Sequence, residues 1–254
     1  MKVAFVGDSY CADVNNGSWL GLVVKEYNAE IICKGRGGTA QFHAYEDLLE
    51  IVDEADYIIF CITTYSRLPN RFGIPIDAKW LSKISWNFKR LLGTSPPEGH
   101  AYHNGREVLG KHHEKAVMAG KLYYNEIMSF EFHKVAQKGI LMQMDELMLQ
   151  KKKKCIWFPC FANDLSMQSY TPKSGPIASH YLNFISKVEW EGNPKETARI
   201  KQLALAGNDL RYNHLNVRNN RNMAKLIMDI IRSNNFKPRE IDMNSYFKGL
   251  ENGY

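Results

Sequence analysis

The sequence predicts an α/β protein, one doubly wound domain built on a parallel sheet. Its first third alternates short apolar runs with segments of helical periodicity. The run Tyr57-Ile58-Ile59-Phe60-Cys61-Ile62 is apolar throughout, as befits a strand covered on both faces. The chain has 254 residues, 44% hydrophobic and 24% charged, enough for one substantial core.

Val3-Ala4-Phe5-Val6 reads as the first strand. Leu20, Val23, Val24 and Tyr27 then recur at the spacing of one helix face. Ile31-Ile32-Cys33 is a second strand, closed by Gly35-Arg36-Gly37-Gly38. Phe42, Tyr45, Leu48, Leu49 and Val52 mark a second helix, and residues 57–62 the third strand.

The alternation stops at residues 68–112, where Pro69, Gly73, Pro75, Pro96, Pro97, Gly99, Gly105 and Gly110 surround one amphipathic piece from Trp80 to Leu92. A connection of that length is read as an insertion and a candidate lid. Its Phe72, Trp80, Trp86 and Phe88 either shape an apolar acyl or sugar pocket or pack the insertion onto the core. Helical periodicity resumes from about His113 to Gln150, and Cys155-Ile156-Trp157-Phe158 is a fourth strand. A clear helix runs from about Asn219 to Ser233, with Met223, Leu226, Ile227, Ile230 and Ile231 on its apolar face. Residues 237–254 read as a peripheral tail.

Composition narrows the classes. The net charge of +6 is mild, concentrated in Lys151 to Lys154 and between Arg211 and Arg221. A lysine run ending a helix complements its dipole, so no nucleic-acid partner is expected. Neither an export signal nor a membrane-length apolar run is visible, which predicts a cytoplasmic protein. Five cysteines, an odd number without C-x-x-C pairing, read as buried free thiols. Cys11 in particular reads as core, not as a thiol nucleophile. His100, His103, His112 and His113 crowd the insertion without a compact ligand spacing. They are read as loop or lid residues, and neither a metal nor a cofactor is expected.

Three polar loops follow strands and so fall at the carboxyl edge of the sheet, where open α/β folds bind ligands. They are Gly7-Asp8-Ser9, Gly35 to Thr39, and Thr63-Thr64-Tyr65-Ser66-Arg67. Ser9 has two readings: a nucleophile, or part of a turn in which Asp8 and Ser9 cap backbone N–H groups. As a nucleophile it needs oxyanion donors, which its own N–H and those of Gly37 or Gly38 can supply. It also needs a base, and His214, just ahead of the terminal helix, is the strongest candidate.

These residues resemble the blocks of the SGNH (GDSL-type) hydrolases, serine esterases on a flavodoxin-like α/β/α sandwich. Val3 to Ser9 resembles the first block and Gly35-Arg36-Gly37-Gly38-Thr39 the second. His214-Leu215-Asn216, followed by Met223 to Ile227, resembles the last. The likeness covers the N-terminal third and the C-terminal fifth. It implies a three-layer sandwich, Ser9 as nucleophile, His214 as base, and an ester substrate of small-molecule or glycan type, acetylated carbohydrate being a natural class.

Two positions depart from the pattern. The third block's oxyanion Asn is missing, and Thr64, Ser66 or Arg67 would have to stand in for it. Losing one such donor typically costs about 2.7–4 kcal/mol of transition-state stabilisation. The triad Asp expected three residues before the histidine is replaced by Arg211, leaving Asp209 as the nearest carboxylate. Divergence of this degree looks like family members carried by bacteriophages, where such domains act on surface glycans or serve in particles. An inactive binding or assembly protein on the same fold is therefore the second reading. A flavodoxin-like phosphate or nucleotide binder using Arg36 is the third; the chain lacks a P-loop Lys-Ser/Thr and the complete dinucleotide fingerprint.

Overall fold

A computed structural model describes residues 1–12, 14, 17–37, 39–65, 67, 69, 118–120, 122–160, 170–182, 185, 215 and 217–247. Six strands, β1 (Lys2–Gly7), β2 (Glu30–Cys33), β3 (Tyr57–Ile62), β4 (Lys154–Pro159), β5 (Ile177–Ala178) and β6 (Glu240–Ile241), form one sheet in the order β2-β1-β3-β4-β5-β6. Every pairing is parallel. The α/β class read from the sequence is the one observed, and the first five strands follow the flavodoxin order.

Among the described residues four α-helices accompany this sheet: α1 (Trp19–Tyr27), α2 (Gln41–Ile51), α3 (Phe130–Lys151) and α4 (Val217–Ser233). Successive strand side chains point to opposite faces, and the core divides accordingly. Val3 and Phe5 of β1, Ile59 and Cys61 of β3, and Ile156 and Phe158 of β4 cluster with Trp19, Leu20 and Val23 of α1 and the apolar face of α4. The intervening Ala4, Val6, Ile58, Phe60, Cys155 and Trp157 cluster with Ala44 and Leu48 of α2 and Leu141, Met144 and Met148 of α3. Burial on both sides explains why these strands carry no polar alternation.

Helix ends follow local chemistry. Ser18 caps α1 by accepting the Gly21 N–H, and Asn28 closes it in the left-handed conformation at φ 44°. The helical periodicity read from about His113 to Gln150 does not fold as continuous α-helix over its described part. A π-helical turn spans Tyr123–Ile127, Met128 is extended, and Ser129 starts α3 by accepting the Phe132 N–H at 3.2 Å. Apolar spacing runs through this break, whereas the hydroxyl at Ser129 satisfies an orphan donor and restarts the helix.

The C-terminal segment also differs from expectation. Residues 237–247 are part of the domain and not a tail: Glu240–Ile241 pairs with β5, and Met243 and Phe247 are buried in the α1/α4 core. The Ser179 hydroxyl accepts the Met243 N–H, which fastens this segment to the end of β5. Residues 248–254 lie outside the described residues, as does almost all of the 68–112 insertion with its histidines and aromatic residues.

The lysine run is largely committed to structure. Lys151 pairs with Asp53, Lys153 Nζ donates to the carbonyls of Asp53 and Ala55, and Lys154 lies over the rings of Tyr57 and Phe236. Among the described residues no helix is long and apolar enough to cross a membrane.

Candidate functional site

β1 and β3 are neighbours at the topological switch point, since α1 follows β1 on one face and α3 follows β3 on the other. Gly7 ends β1 at φ +141°, in backbone that favours glycine, and a Cβ there would lie 2.0 Å from the Cys61 carbonyl oxygen. The close approach brings the Asp8 N–H to that carbonyl at 3.3 Å. Ser9, Tyr10 and Cys11 then form a short 3₁₀ turn, which the Asp8 side chain caps by accepting the Tyr10 N–H at 3.0 Å. Ser9 is thus delivered to the carboxyl end of the sheet, 6% exposed.

The glycine-rich loop is knitted to this turn. The Gly35 N–H donates to the Cys11 carbonyl and the Arg36 N–H to the Gly7 carbonyl, both at 2.9 Å. A Cβ on Gly35 would stand 2.4 Å from Cys11 Sγ and 2.6 Å from the Asp8 carbonyl oxygen. Gly37 follows against the serine itself, where an added Cβ would lie 3.4 Å from Ser9 Cβ. Gly37 and Ser9 are therefore neighbours in space. Arg36 turns away to a bidentate pair with Asp47 of α2, at 2.7 and 3.2 Å.

The third loop arrives from β3. Thr63 is held by two glutamines: its N–H donates to Gln41 Oε1 at 3.1 Å, and its carbonyl accepts from Gln137 Nε2 at 2.7 Å. Arg67 is buried and reaches back across the site. Its Nη1 lies 3.0 Å from Asp8 Oδ2, 3.3 Å from the Thr39 carbonyl oxygen, and within hydrogen-bond distance of Thr63 Oγ1. Asp8 is fully buried, so this is an ion pair shielded from water. Thr64 is partly exposed on the same loop.

Ser9, Gly37, Thr64 and Arg67 therefore come from three loops at one edge of the sheet. Gly38, Ser66, Asp209 and His214 lie outside the described residues. Cys11 is core, as expected: its Sγ is 3.4 Å from the Asp8 carbonyl oxygen, and burial first, with Cys61 beside it, pushes the thiol well above its ordinary range. Among the described residues, no group of three or more His, Cys, Asp or Glu side chains is placed to hold a metal ion.

Sequence reasoning placed Thr39 and Thr63 in the site loops without a role and missed Gln41, His133 and Gln137. His133 is buried one turn before Gln137 and meets the Tyr123 hydroxyl at Nε2. Burial holds its imidazole below the usual value. The available signal was polar side chains at 133 and 137 on the same helix face as Leu141, which is apolar and buried.

The fold and site define a parallel α/β protein with a buried serine turn at the switch point of its sheet. No family model, curated protein or solved structure matches the chain.

Proposed function

We propose that the protein is a serine esterase or deacylase that cleaves a carboxylic ester through an acyl-Ser9 intermediate. The observation that carries this reading is the packing of Gly37 against Ser9 at the end of β1. A nucleophile and a flexible source of backbone N–H donors are thereby adjacent.

In the proposed reaction Ser9 Oγ attacks the ester carbonyl carbon while His214 takes its proton. The N–H groups of Ser9 and of Gly37 or Gly38 hold the oxyanion, with Thr64 or Ser66 replacing the absent amide. Collapse of the tetrahedral intermediate expels the alcohol, which His214 protonates. Water then attacks the acyl carbon, giving a proton to His214, and the second tetrahedral intermediate collapses to the acid as His214 returns that proton to Ser9 Oγ. Asp209 is the candidate for orienting His214. The roles of His214 and Asp209 rest on the resemblance to the SGNH blocks, as does acetylated carbohydrate as the substrate class.

The expected test outcome is hydrolysis of short p-nitrophenyl esters that falls by about 10³-fold or more in Ser9→Ala and in His214→Ala. Turnover that survives Ser9→Ala would overturn the reading. A second reading, a binding or assembly protein on this fold, is favoured by one observation. Arg67, a candidate replacement for the oxyanion Asn, is engaged by Asp8.

A further inference from the structure

From these contacts we infer that Arg67 is a positioning residue that acts on Ser9 through Asp8, latching the three loops of the site into one unit. The inference rests on Ser9 being the nucleophile. It assigns Arg67 a different task from the substrate or oxyanion contact expected of it.

The two oxygens of Asp8 face different partners. Oδ1 accepts the Tyr10 N–H inside the turn that carries Ser9, and Oδ2 accepts from Arg67 Nη1. The same nitrogen reaches the Thr39 carbonyl at the end of the glycine loop and the Thr63 hydroxyl at the end of β3. One guanidinium nitrogen therefore ties the nucleophile turn, the oxyanion loop and the third-strand loop together.

Burial gives the latch its force. Asp8 is 0% and Arg67 8% exposed, so water cannot readily replace either partner if the other is removed. Gly35, pressed on Cys11 and the Asp8 carbonyl, leaves the turn little room to shift towards the glycine loop. Relaxation of an unpaired Asp8 would therefore be transmitted along the turn, to Ser9. A displacement of about 1 Å at a reacting group can cost about 10²-fold in rate. All three contacts are made by Nη1 at the far end of the side chain, a point that the shorter lysine does not reach with its ammonium.

The test uses the full chain, with Asp8→Asn, Arg67→Lys, Arg67→Met and the Asp8→Asn/Arg67→Met double variant assayed on p-nitrophenyl acetate. A positioning role predicts that Arg67→Lys lowers kcat by about 10-fold or more while KM stays within about twofold. It also predicts that the double variant loses no more kcat than the worse single one, because the two residues act as a unit. A raised KM at unchanged kcat would overturn the latch in favour of substrate binding. Unchanged kcat with only a lowered melting temperature would overturn it in favour of a purely structural pair. If wild type neither hydrolyses the ester nor labels at Ser9, the esterase reading fails by itself. The latch is then read from exchange of the Tyr10 amide, faster in folded Arg67→Lys if it holds and unchanged if it does not.

Discussion

Gly35 and Gly37 lie two positions apart and answer to different neighbours. A methyl group on Gly35 would collide with Cys11 Sγ and with two carbonyl oxygens, those of Asp8 and Gly7. One on Gly37 would make ordinary contact with Ser9 Cβ. Gly35→Ala is therefore expected to lower the melting temperature, whereas Gly37→Ala should fold normally and lower ester hydrolysis by placing a methyl group beside Ser9, where the ester must approach. Thermal melts and initial rates on both variants check this, and equal melting losses would contradict it. The placement of Ser9 and of the glycine loop was legible because each directly follows an apolar run. The partner of Arg67 was not, since an ion pair between distant positions leaves no local pattern in either stretch.

At the scale of elements, β1 to β4 and helices α1, α2 and α4 were readable from apolar periodicity, because burial on both faces of the sheet enforces it. β5 and β6 are two residues each, too short to show a period. The tail reading of residues 237–247 failed for the same reason, although Ile241, Met243 and Phe247 are buried. Helix α3 brings a titration of its own. Nε2 of His133 lies within hydrogen-bond distance of the Tyr123 hydroxyl, and burial holds its imidazole below the usual range.

The sign of the His133 contribution follows from its lowered pKa. Below about 6.5 the unfolded chain binds a proton there that the folded chain resists, so stability falls as pH drops through that value and is unaffected above it. Urea midpoints at pH 7.5 and pH 5 should fall further for wild type than for His133→Gln. Equal losses in the two proteins would contradict the assignment.

On the scale of the whole molecule, the sheet separates two cores, and four of the five free cysteines are sealed within them. Cys11 and Cys61 are pushed well above the ordinary thiol range, and Cys155 and Cys160 to about 12, in every case first by burial. Cys33 is partly buried and also raised to about 12. With Ellman's reagent at pH 8, the native protein should release at most one equivalent quickly. All five should react in guanidinium. Rapid release of two or more from the native protein would mean that a core opens at the site edge.

Both cores position one feature, the turn that carries Ser9 where three loops meet. Covalent labelling with a fluorophosphonate probe, with the adduct located by mass spectrometry, tests that account most directly. The account predicts one adduct on the peptide bearing Ser9, absent in Ser9→Ala and slowed in Arg67→Lys. An unlabelled wild type, or an adduct that persists in Ser9→Ala, would contradict it.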